Sequence, residues 1–218
     1  MPMEDMPDPH RNLKKFCALC GVAGPILYTL VIFSLGAIQP GYNHSTQLMS
    51  ELGEVGAPHA PAMNLFGFAL TGILILVFAW GFFLEFRRID GIVPATSLLT
   101  LTGILYLAEA CFHCDAGCIP PATFSGFLHL LLGEVSVAIM IVASFTIAYV
   151  LKQEGHWQGY WQYSALTGAA VLLFVPFMPA LPEMAGLFQR VLVGIFLLWW
   201  ELLAIRLYRV VSVGNTGS

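Results

Sequence analysis

The sequence predicts an all-α protein, a six-transmembrane-helix bundle with both termini cytoplasmic and a long outer loop between helices 1 and 2. Three observations predict it. Of the 218 residues 58% are hydrophobic and only 10% charged, and the mean hydropathy is +0.79, whereas about a quarter of the residues of a soluble domain are charged. Six apolar runs each supply the roughly 20 residues needed to cross the hydrocarbon core of a bilayer. The runs are continuously apolar and do not alternate, which excludes barrel strands, and six short strands would not close around anything.

The spans fall at Phe16 to Ile38, Pro61 to Phe86, Ile92 to Phe112, Phe124 to Leu151, Trp161 to Leu181 and Gly186 to Tyr208. This divides the chain into a cytoplasmic tail over 1–15, a single membrane domain over 16–209 and a cytoplasmic tail over 210–218. The fifth span is the most irregular, because Pro176, Pro179 and Pro182 unwind or kink a helix at its end. Orientation follows from the basic residues, which are retained on the cytoplasmic side. Arg11, Lys14 and Lys15 precede span one, Arg87 and Arg88 join spans two and three, Lys152 follows span four, and Arg206 and Arg209 end span six; of the nine, Arg190 alone lies elsewhere. The loops after spans one, three and five therefore face outward from an inner or plasma membrane. Met1 to His10 is acidic and Pro-containing and span one has no small-residue cleavage site, so span one reads as a mature helix and not a secretory signal.

Composition also excludes function classes. A net charge of −4 with nine basic residues offers no basic patch for nucleic acid, and no Gly-rich phosphate loop is present, so nucleic acid and nucleotides drop out as partners and membrane lipids remain. Gly21 and Gly24 in span one and Gly67, Thr71 and Gly72 in span two mark close helix contacts.

The first outer loop, Gln39 to Ala60, is by far the longest connection, and loops of this length tend to be functional. Ser45 or Thr46 is placed to cap a short helix running to Leu52, with Gly53 and Gly56 as stops. Its Pro40-Gly41-Tyr42, Ser50-Glu51-Leu52-Gly53 and Gly56-Ala57-Pro58 strings, with Asn64 leading into a Gly-rich second span, resemble the bacterial and archaeal membrane family called "domain of unknown function 998". The resemblance extends to His113-Cys114-Asp115 after span three and His129 early in span four, and covers the chain from Cys20 to about Leu151. It implies a fold and no activity.

Ionisable residues inside spans cost about 2.5 to 3.5 kcal/mol on insertion scales and mark functional sites. Thr102, Tyr106, Glu109 and His113 share one helical face, and Ser125, His129, Gly133 and Ser136 form a second stripe on span four. Glu134 lies about 140° round the helix from His129 and is outside that stripe. A short connection makes spans three and four antiparallel neighbours, so Glu109 and His129 are expected to face each other as partners. With His113 and Asp115 above them and Ser50, Glu51 and His44 from the loop, they define a candidate outward-facing pocket.

Several uses of this pocket are open. Glu109, His113, Asp115 and His129 suit a divalent metal such as zinc and a water activated on it. Ser50, Glu51 and the same residues suit acid–base or nucleophilic chemistry on a lipid ester or amide. The polar groups can instead fasten helices to one another, or line a path for a ligand or ion. No HExxH, HxxxH or GxSxG is present to select among these. The leading expectation is binding of a lipid or amphipathic small molecule, with metal-assisted hydrolysis as one outcome; the other is a non-catalytic partner-binding protein or small permease.

Cys17 and Cys20 start span one and read as core thiols, while Cys111, Cys114 and Cys118 lie at the outer end of span three. Cys114 and Cys118 can pair across a tight turn at Gly117, with Cys111 as competitor, and Cys111-x-x-Cys114 leaves thiol–disulfide chemistry open. Trp157, Tyr160, Trp161 and Tyr163 beside Lys152, and Trp199 with Trp200, suit interfacial anchors. Glu201 is placed to snorkel or to pair near Arg206, and Arg190 lies within reach of Glu51, Glu109 or an anionic lipid head group.

Overall fold

The computed structural model describes residues 8–213. Its helices are α1 (Arg11–Ile38), α2 (Ala60–Phe86), α3 (Ile92–Cys111), α4 (Phe124–Lys152), α5 (Tyr160–Ala180) and α6 (Ala185–Val213), and there is no strand among the described residues. Six helices are long and apolar enough to cross a membrane, so the protein has the character of a multi-pass membrane protein. Each helix packs on its sequence neighbours and α1 also packs along α6, with α5 and α6 in looser contact.

Glycines set the closest passes. A Cβ on Gly72 would lie 2.7 Å from the Gly103 carbonyl oxygen, and one on Gly103 would lie 2.9 Å from that of Gly72, so α2 and α3 cross backbone against backbone. Gly24 makes room for the Trp200 indole where α1 meets α6. The apolar core of the half nearer the termini contains Phe78, Phe82, Phe86, Trp157, Trp199 and Trp200. Burial corrects the expectation of interfacial anchors at three tryptophans: Trp157 packs on Phe82 and Phe86, and Trp199 donates its indole N–H to Ser164 Oγ at 2.9 Å.

The helices outrun the apolar spans at both ends of the chain. α1 begins at Arg11, whose guanidinium donates to the carbonyls of Val211 and Ser212 at 3.0 and 2.7 Å and so serves the last turn of α6, where carbonyls lack intrahelical donors. Lys14 pairs with Asp8 at 2.7 Å and Glu85 at 2.9 Å. Hydropathy marks where lipid ends, and here hydrogen bonding carries the helices past that point. α5 breaks as the prolines predict, into Tyr160–Phe174 and Phe177–Ala180. Arg206 turns to the His156 carbonyl and lies over the Tyr160 ring, so no Glu201–Arg206 ion pair forms among the described residues.

Candidate functional site

The loop between α1 and α2 folds as a plug. Its helix is 3₁₀ and spans Met49–Gly53, starting later than the Ser45 or Thr46 cap predicted because Asn43 Oδ1 takes the Ser45 N–H at 2.9 Å in a turn of its own. Glu51 then supplies the cap: its carboxylate accepts from the Leu48 N–H at 2.7 Å and from Gln47 Nε2 at 2.8 Å. With the Leu48 N–H and the Gln47 amide bonded to Glu51, the plug buries Leu48, Met49 and Leu52. Met49 and Leu52 close over Tyr28, Ile32, Met63 and Phe68 in the half of the bundle away from the termini.

The plug is clamped from three directions. Arg190 on α6 donates to the carbonyls of His44 (2.6 Å), Gln47 (2.9 Å) and Gly186 (2.8 Å) and to the Tyr42 hydroxyl. Tyr42 in turn donates to the Leu48 carbonyl at 2.8 Å, and burial holds its phenol above the usual pKa, in the neutral form this bond requires. On α2, Asn64 Nδ2 reaches the Gly53 carbonyl at 3.1 Å from within a π-helical stretch, Met63–Ala69. From the α3–α4 connection, the Cys114 carbonyl accepts from Val55 at 2.9 Å and the Gly117 N–H donates to Glu54 Oε2 at 2.6 Å. Arg190 therefore meets neither Glu51 nor Glu109, its expected partners, and its target is the backbone of the loop.

The α3–α4 connection is a second closed unit. Cys114 and Cys118 form a disulfide, and Cys111 is an exposed free thiol. Ser50 is buried against this disulfide, its Oγ 3.5 Å from Cys118 Sγ. Asp115 lies against the start of α4, where Gly126 leaves room for its carboxylate, and accepts from the Ala122 and Thr123 N–H groups at 2.7 and 2.9 Å and from Thr123 Oγ1 at 2.8 Å. Those bonds from Thr123 and Ala122 stabilise the ionised form and hold its pKa below the usual carboxylate range.

The two histidines serve the end of α3. A helix C-terminus leaves carbonyls without donors, and in lipid such groups must be satisfied by the protein. His129 Nδ1 lies 2.7 Å from the Phe112 carbonyl, His113 Nε2 lies 3.1 Å from that of Ala110, and Ser125 Oγ donates to that of His113 at 2.9 Å. The expected His129–Glu109 partnership is thus corrected: His129 bridges α3 and α4 through backbone. Its ring also packs edge-on against Phe68 at 5.5 Å. Because Phe112 is extended, His113 falls off the face that Thr102, Tyr106 and Glu109 share.

Glu109 is left. It is 5% exposed, and its Oε1 has no hydrogen-bond partner. Ser136 on α4, likewise buried, is the side-chain donor nearest the Glu109 carboxyl but stands outside hydrogen-bond geometry to Oε1. Opposite the carboxylate α4 carries Gly133, which is half-buried, and a Cβ built there would meet Glu109 Oε1 alone, at 3.7 Å. The missing side chain is a notch in α4 that opens onto the unsatisfied oxygen. Among the described residues no three His, Cys, Asp or Glu side chains converge to hold a metal ion, so Glu109, His113, Asp115 and His129 do not form the zinc set expected of them.

A family model described as a protein of unknown function (DUF998) matches residues 22–206. The chain belongs to the DUF998 family. No curated protein and no solved structure matches it. The strings that carried the resemblance to DUF998 have structural roles: Tyr42 and Glu51 brace the plug, Leu52 fills it, and Gly53 leaves room for Asn64, whose Oδ1 would lie 2.5 Å from a Cβ at that position. The Arg190 clamp was missed by sequence reasoning, although a lone basic residue on the wrong side of the charge pattern was its signal. The π-helical stretch had none.

Proposed function

We propose that this multi-pass protein binds an amphipathic molecule within the bilayer, whose polar head donates a hydrogen bond to Glu109 through the notch at Gly133. The single observation that carries this is the buried Glu109 Oε1 with no donor. Leaving a buried acceptor oxygen unpaired is costly, and an intramembrane carboxyl marks a functional site. An amine or hydroxyl head suits such an acceptor, and a carboxylate head does not. Hydrolysis has less support, since Glu51, Asp115, His113 and His129 are engaged in the loops and the α3 terminus. The basic asymmetry of the sequence supports cytoplasmic termini in an inner or plasma membrane.

The test is thermal unfolding of the purified protein in dodecyl maltoside with dodecylamine or dodecanoate added. Dodecylamine should raise the melting temperature of the wild type and dodecanoate should not, with the rise lost in Glu109→Gln and in Gly133→Leu, which fills the notch. An equal rise in all three proteins contradicts the proposal.

A second reading, partner binding, is favoured by Glu134. It is exposed and makes no hydrogen bond or ion pair among the described residues, yet lies about 15 Å along α4 from Phe124, near the middle of a hydrocarbon core about 30 Å thick. Loss of a crosslinked complex in membranes on Glu134→Leu supports this reading, and an unchanged crosslinking pattern removes it.

A further inference from the structure

On the outer surface of the bundle, in the half nearer the termini, α2 and α3 diverge to leave a lateral groove of about 520 Å³. Trp80 and Phe83 form one wall, their rings stacked at 5.6 Å, and Val93, Ser97, Thr100 and Ile104 form the other. From Val93 to Ile104 the groove follows α3 for about 16 Å at 1.5 Å per residue. That is about half of a hydrocarbon core roughly 30 Å thick, the depth of one leaflet. Ser97 and Thr100 are exposed and their hydroxyls make no hydrogen bond among the described residues, unlike Thr96, which donates to the Ile92 carbonyl at 2.8 Å.

The turn that joins α2 to α3, beyond the last lining residues of the groove, is basic. On α2 the lining positions 76, 80 and 83 continue to 87 with helical spacing, and Arg87 keeps helical dihedrals at the cap. Arg87 and Arg88 are both exposed and have no side-chain partner among the described residues, whereas at the same end of the bundle Arg11, Lys14, Lys152 and Arg206 are engaged by carbonyls, carboxylates or rings. Asp90 also lies in this turn, leaving it one positive charge in excess. An apolar channel one leaflet deep, hydroxyls along it and unpaired guanidiniums at the headgroup level match the parts of one molecule.

The geometry points to an anionic phospholipid site between α2 and α3, with an acyl chain along Trp80, Phe83 and Ile104 and the phosphate at Arg87 and Arg88. Arginine is the side chain suited to bidentate phosphate contact, and basic pockets between membrane helices recognise anionic head groups. This site is separate from Glu109 and does not rest on the proposed function.

Native mass spectrometry of the full chain in detergent tests it, titrating dioleoyl phosphatidylglycerol or dioleoyl phosphatidylcholine. The wild type should retain phosphatidylglycerol in preference to phosphatidylcholine. The preference should fall about fivefold for each arginine removed in Arg87→Gln and Arg88→Gln. Arg209→Gln removes an exposed charge at the same end of the bundle, on α6, and should leave the preference intact. Thr100→Trp fills the groove from an exposed position and should abolish retention with the arginines in place. Equal retention of the two lipids by the wild type overturns the assignment, as does a preference that falls equally in Arg209→Gln. A wild-type dimer that Thr100→Trp dissociates also overturns it, by making a second copy the occupant.

Discussion

Removing the Arg190 guanidinium should release the plug without unfolding the bundle. In Arg190→Met the carbonyls of His44, Gln47 and Gly186 and the Tyr42 hydroxyl lose their donor. The Gly186 bond lies within α6, so three bonds reach the loop; at about 1 kcal/mol net each they come to about 3 kcal/mol, with Tyr42 losing its cation–π contact as well. That corresponds to about 150-fold in the local opening constant. Most of the bundle's packing does not involve these groups, so the loss is confined to the loop. Arg190→Lys keeps the charge but offers a point donor and should fall between the two. Amide hydrogen exchange followed by mass spectrometry reads the opening directly: residues 42–52 should lose protection while α2 and α3 keep theirs. Unchanged protection in that stretch would refute the clamp, and a uniform loss through every helix would show that Arg190 supports the whole bundle.

Three further outcomes follow from the same geometry. His129→Ala strips the buried Phe112 carbonyl of its partner and removes the ring from Phe68, and should cost about 1 to 3 kcal/mol, the penalty for a buried acceptor left unsatisfied, with His129→Gln recovering part of it in thermal unfolding; an unchanged melting temperature in His129→Ala would remove the bridge. The Asp115 turn has a depressed folded pKa, so its contribution is present above the unfolded aspartate value of about 3.9 and is lost as pH falls through the lower folded value; proteolysis of residues 113–123 should accelerate below about pH 4 in the wild type and show no such step in Asp115→Asn. Alkylation of the denatured protein should label Cys17, Cys20 and Cys111 without reductant and add Cys114 and Cys118 with it; labelling of all five before reduction would remove the disulfide.

The six helices were legible because a bilayer imposes length and apolarity on every span, and those constraints are written residue by residue. The break in α5 was legible for a similar reason, since Pro176 and Pro179 remove backbone donors wherever they stand. The site was only partly legible. Helical spacing put Tyr106 and Glu109 on one face and His129 and Gly133 on a facing one, and it put Glu134 outside. Spacing does not show which polar group a side chain meets once backbone carbonyls compete for it. His129 therefore went to Phe112, His113 to Ala110, and Asp115 to its own turn. The plug was readable as a motif but not as a contact map: Arg190 bonds to residues about 140 positions away in the chain, a pairing that only the closure of α6 on α1 creates.

Glu109 Oε1 is the acceptor that the proposed ligand would fill. Infrared difference spectroscopy of the carboxyl region, recorded on adding dodecylamine to the purified protein, observes that group directly. A difference band should be present in the wild type, absent in Glu109→Gln and suppressed in Gly133→Leu. A spectrum with no Glu109-dependent band would contradict ligand binding at Glu109.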